Sequence, residues 1–309
     1  MTGLMDQVGD IAGGPSAAGR STLLRRLTPL RSALTFIGFF VFVVALWEGV
    51  KVVGGDPWRA GEQVLWNPPI RIFFASDLNL PHLWSVVTVF GEPAQRGSDT
   101  SLAQFLVGAA LYTWREAAIG FAFGALLGLV LASLFVHFRL LERAFVPYVI
   151  ASQTIPIVAL APMIAFAFGQ SVASVVIIAT YLTFFPVTIA GIRGLRSPDP
   201  RALELMRSYA GSRWATYRKL RLPASLPYLF TALKISATAS IVGAIIGEGP
   251  GGIPDGLGRV IINFNQSYIT YPAKLWAAIL ASALVGIAFF LLVRVAEYLT
   301  LRGRQASAE

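Results

Sequence analysis

The 309-residue chain has no cysteine and only two histidines, His82 and His137. Disulfides, thiolate metal sites and cysteine nucleophiles are therefore excluded, and a histidine-based metal site has too few ligands. Charge is scarce as well. Only 13% of residues are Asp, Glu, Lys or Arg, where a soluble domain carries about 25%. No glycine is followed by lysine, so the phosphate-binding sequence G-x-x-x-x-G-K-[ST] is absent. The acids are few and scattered across loops and the ends of apolar runs, and they form no catalytic constellation. The chain is read as a non-enzyme with no cofactor.

What is abundant is apolar surface. The hydrophobic fraction is 55% and the mean hydropathy is +0.66, so lipid has to be the solvent for much of the molecule. A spanning helix needs roughly 20 mostly apolar residues. Six stretches meet that requirement, at about 33–53, 116–136, 147–168, 172–192, 224–246 and 273–293. The fold class expected is all-α, a polytopic membrane helix bundle in one transmembrane domain over 33–299, with tails at 1–32 and 300–309. The first run is not a cleaved leader, because it is too long and lacks a small-residue cleavage site.

The formal net charge of +9 is explained by topology rather than by nucleic acid. With the N-terminus inside, residues 1–32, 137–146, 193–222 and the end from Arg294 carry seventeen Lys and Arg on the cytoplasmic side. The outer segments 54–111 and 247–272 carry four, Arg59, Arg71, Arg96 and Arg259. This asymmetry places both termini in the cytoplasm. Residues 102–114 are apolar too, and either lengthen the second span or lie along the outer interface. The proline-broken segment 54–101 reads as an external loop with short helices, and residues 1 to about 20 as disordered.

Gly120, Gly124 and Gly128 recur every four residues and share one helix face, where small residues let helix backbones approach closely. Two readings stay open: ordinary packing, or a face at a subunit interface or along a translocation path. Pro156, Pro162 and Pro186 favour kinks in the third and fourth spans. Lys234 lies inside the fifth run. It is either a functional intramembrane charge or a long side chain reaching back to the interface. Gly247 to Gly252 match G-x-G-x-x-G letter for letter, yet Pro250 sits inside the match and an apolar helix precedes it, so the segment reads as a turn.

The most informative stretch is Arg193 to Leu222, thirty residues with eight Lys or Arg against Asp199 and Glu204. Leu203, Met206 and Ala210 fall on one apolar stripe. The corner Ala210-Gly211-Ser212 ends one helix and caps the next, since Ser is a favoured N-cap. Tyr209 and Trp214 offer aromatic anchors. A docking element for a soluble partner accounts for this pattern. A basic amphipathic loop resting on lipid headgroups is the competing account.

Glu204, the Ala210-Gly211 corner and Leu220-Arg221-Leu222-Pro223 with Pro227 resemble the coupling loop of permease subunits of ATP-binding-cassette importers. Leu205 and Met206 stand where that family has two alanines, and Ala210 where it has a glycine. Arg115 with Gly120-Phe121, the run Thr154 to Pro162, and Gly247-Glu248 with Gly256-Leu257-Gly258 are similar to its nitrate, sulfonate, taurine, pyrimidine-precursor and riboflavin members. The resemblance covers about residues 100–300. It implies two permease chains around a twofold axis in a bacterial inner membrane, with the path between them. It further implies two ATP-binding subunits on the cytoplasmic loops and an external substrate-binding protein. The outer segments hold seven acids against four Arg and several aromatic and amide side chains, which favours a vitamin or heterocyclic precursor over a small anion. A secondary transporter driven by an ion gradient is the alternative.

Overall fold

A computed structural model describes residues 17–60, 63–95, 97–249, 253 and 255–305. Pro250, Gly251 and Gly252 and the first sixteen residues lie outside the described residues. The chain divides into two compact units, 1–83 and 84–309.

In the first unit, helix α1 runs Ala17–Gly54, so helix begins before the end of the tail expected to be disordered. Its apolar stretch Leu34–Gly54 is long enough to span, and Phe36, Phe39, Phe40 and Phe42 are exposed along it, as lipid-facing residues are. Beyond it the chain forms a small antiparallel hairpin, β1 (Trp58–Ala60) with β2 (Gln63–Trp66). The segment expected to be an external loop thus contains strands as well as short helices. Lys51, fully buried, holds this segment to α1. Its ammonium donates to Asp77 at 2.5 Å and to the carbonyls of Leu80 at 2.6 Å and Ala75 at 3.3 Å. Three acceptors for three donors is what allows a lysine to be buried there. Glu48 completes the seal, accepting from the Leu83 amide at 2.9 Å and meeting His82 Nδ1 at 2.8 Å.

The second unit is helical. A short α2 (Leu83–Thr88) opens on it, followed by α3 (Leu102–His137), α4 (Arg139–Ser152), α5 (Ile157–Phe168) and α6 (Val172–Leu195). After these come α7 (Pro200–Ser208), α8 (Arg213–Thr216), α9 (Leu222–Glu248), α10 (Leu257–Gln266) and α11 (Pro272–Gln305). Residues 102–114 lengthen the second span, because Ser101 caps the helix, its hydroxyl accepting from the Gln104 amide. Among the described residues, five helices are long and apolar enough to cross a membrane, or six if one bent pair counts as a span.

That pair corrects the third expected span. The apolar run 147–168 is not one helix. α4 and α5 meet at 99° across a four-residue break. Pro156 causes it: proline has no amide to donate and pushes the residue before it out of helical geometry, and it serves as the N-cap of α5. The Tyr181 hydroxyl on α6 donates to the Ser152 carbonyl and so holds the end of α4.

α6 is the centre of the bundle, packed most extensively against α3 on one side and α9 on the other. The α3 contact depends on the absence of side chains. A Cβ on Gly124 would lie 2.5 Å from the Thr183 Cβ, and one on Gly128 2.7 Å from the Phe184 carbonyl oxygen. Gly120 would collide with Ala179. All three glycines therefore face α6 of the same chain, and that face is filled within the subunit.

Candidate functional site

The element after α6 is an elbow, and each of its corners has a local cause. Asp199 caps α7, its carboxylate accepting from the Arg201 amide at 2.8 Å, and Pro200 follows at the first helical position, where its missing amide costs nothing. α7 ends when Ala210 turns into the left-handed region at φ +50°. The Gly211 amide then donates to the Met206 carbonyl at 2.9 Å and that of Ala210 to Arg207 at 2.9 Å, closing the helix end. A Cβ on Gly211 would stand 2.7 Å from the Met206 carbonyl oxygen, so glycine is needed there. Ser212 restarts the chain as the cap of α8, accepting from the Ala215 amide at 3.1 Å.

Pro223 does not mark an exit from a loop. α8 passes through one π-helical turn, Tyr217–Arg221, into α9, so a single helical rod runs from Arg213 to Glu248. Proline is accommodated inside this helix because the turn before it is π-helical: the Leu222 amide donates to the Tyr217 carbonyl, and the ladder shifts just where Pro223 has no amide to donate. Tyr217 ties the same turn to α3. The Ser133 hydroxyl donates to the Leu129 carbonyl at 2.8 Å, so the Tyr217 hydroxyl is the donor in its 2.8 Å bond to Ser133 Oγ. His137 lies beside the Tyr217 ring, and Trp214 stacks on that ring at 5.6 Å. Arg221 donates to the Leu195 carbonyl at the end of α6, and Arg196 pairs with Glu142 at 2.5 Å on α4. The elbow is thus braced against α3, α4 and α6 together.

What the elbow offers to solvent differs from the expected stripe. Leu203 and Met206 are half-buried, while Glu204 and Ala210 are exposed. The large exposed apolar groups are Leu205 at 57%, Tyr209 at 79% and Trp214 at 67%. Leu205 and Tyr209 are four residues apart and share a face. These three exposed side chains stand among Arg201, Arg207 and Arg213 in the sequence of the elbow. Sequence reasoning missed Tyr217, Ser133 and His137. The hydroxyl-to-hydroxyl bond spans 84 residues of chain, and nothing local announces it.

Above the elbow, α6 and α9 line an open cavity of about 430 Å³ bordered by Phe185, Pro186, Arg193, Pro227, Tyr228 and Ile235, among others. Pro227 thus lies on the cavity wall, across from Pro186. Lys234 is on α9 but pairs outward from this cavity. Its ammonium meets Glu297 on α11 at 2.7 Å, each side chain about one-fifth exposed, which answers its charge without any ligand.

At the bundle end away from the elbow, α9 stops at Glu248 and α10 begins after Gly256. The Leu257 amide donates to the Thr113 hydroxyl on α3 at 2.8 Å, and the Gly258 amide to a Glu248 carboxylate oxygen at 2.7 Å. Gly256 has φ +97° and no room for a Cβ, because the Glu248 carboxyl occupies that space. Glu248, expected in an external turn, is instead fully buried.

Residues 124–299, more than half of the chain, match the model of the binding-protein-dependent transport system inner membrane component. The formylaminopyrimidine transport permease protein ThiX of Halalkalibacterium halodurans is 33% identical over 191 residues, 60% of this chain and 74% of the relative. A probable ABC transporter permease protein of Haemophilus influenzae is 34% identical over 153 residues, 50% of this chain and 62% of the relative. The riboflavin transport system permease protein RibX of Chloroflexus aurantiacus is 32% identical over 166 residues, 54% of this chain and 61% of the relative. With its apolar multi-pass bundle, its long α8–α9 rod and the match over α3 to α11, the chain belongs to the family of inner-membrane permease components of binding-protein-dependent ABC importers.

Proposed function

We propose that this permease works as one of two copies around a substrate path, and that its elbow seats in the groove of an ATP-binding subunit on the cytoplasmic side. The observation that carries this reading is the exposed trio Leu205, Tyr209 and Trp214 on an element continuous with α9. A groove that closed on α7 and α8 would move α9 as a lever and pull α3 through the Tyr217–Ser133 bond. Hydrolysis occurs on the partner chain, and an external binding protein delivers substrate at the opposite end.

The substrate proposed is a small heterocycle of the vitamin or vitamin-precursor class. The relatives named for formylaminopyrimidine and riboflavin transport support this, as does the excess of acids over arginines in the segments expected outside. The test is Ala210→Asp in the complete transporter. Asp tolerates the left-handed backbone at 210, so the change adds a charge to the docking face without straining the corner. Normal membrane insertion with loss of ATP-driven uptake of riboflavin or formylaminopyrimidine is expected; uptake at the unmodified rate refutes docking. Uptake that survives ATP depletion but collapses with an ion gradient favours a secondary transporter.

A further inference from the structure

Glu116 is the buried acid that the transport reading leaves unused. It continues the glycine stripe, since 116, 120, 124 and 128 are successive i+4 positions on α3, and it is fully buried. Both of its carboxyl oxygens lack a hydrogen-bond partner, and so does one oxygen of Glu248. The two carboxyls lie within hydrogen-bonding reach of each other, with the Tyr112 hydroxyl near Glu116 and the Thr113 hydroxyl near Glu248. Among the described residues, the other charged or titratable groups facing them are Tyr112 and Arg115 on α3 and Asp255 before α10. Arg115 is exposed, and its guanidinium rests over the Tyr112 ring at 4.9 Å.

Two buried negative charges side by side with no buried counter-ion would each bear the penalty of removing an ion from water. One proton between them removes one charge and gives an otherwise orphaned oxygen a partner. The geometry also says which carboxyl stays anionic. Glu248 is the last residue of α9, but its carboxyl reaches the start of α10 and accepts the Gly258 amide, where the dipole of that helix favours negative charge. Glu116 meets no backbone amide, its one neighbouring donor being the Tyr112 hydroxyl, and is suited to be the acid. We propose that Glu116 and Glu248 form a site for one proton, with Glu116 donating to Glu248, and that this bond fastens the start of α10 to α3. The site would be a proton-controlled latch at the end opposite the elbow, independent of whether the elbow docks.

The experiment uses the full-length permease in lipid with its partner subunits. Infrared difference spectra between unmodified protein and Glu116→Gln should contain the carbonyl stretch of a neutral carboxylic acid. Glu248→Gln should shift that band, because the acceptor changes from carboxylate to amide. No such band in either difference spectrum overturns the proposal, as does a band that appears only when sodium is removed, which would put a metal ion in the proton's place. A second measurement reads the latch. Glutamine supplies an N–H donor where the proton would be, so Glu116→Gln should leave hydrogen exchange at Leu257 and Gly258 close to that of the unmodified protein. Glu116→Ala should speed it by about tenfold, equivalent to about 1.4 kcal/mol. Equal exchange in the Gln and Ala variants refutes the latch.

Discussion

Lys234→Met isolates the one ion pair that, among the described residues, links α9 to α11. Breaking a fully buried pair costs about 3–5 kcal/mol, because the remaining charge is left unanswered. An exposed pair is worth about 0–1 kcal/mol. With Lys234 and Glu297 23% and 20% exposed and 2.7 Å apart, the loss should fall between, at about 1–3 kcal/mol. For a chain of this size that is a fall in melting temperature on the order of 5 °C, followed by tryptophan fluorescence in detergent. Lys234→Met with Glu297→Met removes both charges and should recover most of the loss, since apolar replacement of a buried pair is often neutral. If Lys234 serves only packing, the double variant also transports. The reasoning fails if the single variant melts like the unmodified protein, or if the two substitutions lower stability additively.

Gly124→Leu should prevent stable assembly, because even its Cβ would lie 2.5 Å from Thr183 on α6 and overpacking of this kind costs about 1–3 kcal/mol or more; a normal yield by size-exclusion chromatography contradicts the α3–α6 packing. Tyr217→Phe removes the donor to Ser133 and should cost about 1 kcal/mol. Ser133→Ala should cost a similar amount, and the double variant no more than either alone, as a melting series would reveal.

Much of this architecture could be read in the sequence because lipid imposes long apolar runs. The runs at 33–53, 172–192, 224–246 and 273–293 all lie within helices. The elbow was legible for a local reason: Asp199, Gly211 and Ser212 act through their immediate neighbours. Hydropathy could not reveal the break at Pro156, since residues on both sides are equally apolar. Nor could it separate a proline at a sharp break, as Pro156 is, from one carried inside a continuous helix, as Pro223 is. The carboxyl pair was missed for another reason. Glu116 sits at the edge of an apolar run and Glu248 in a glycine-rich turn, so each alone resembles a surface acid. The four-residue spacing that carries Gly120, Gly124 and Gly128 also reaches back to Glu116, and that was the available signal.

The central claim is that the α7–α8 elbow is the seat of a separate ATPase. The natural absence of cysteine makes the direct measurement clean. Tyr209→Cys, 79% exposed on the elbow, is compared with Ile269→Cys, 86% exposed at the opposite end, by crosslinking in native membranes and mass spectrometry of the products. A nucleotide-hydrolysing subunit joined to position 209 and not to 269 is the predicted result. No such subunit at 209, or the same one at 269, contradicts the account.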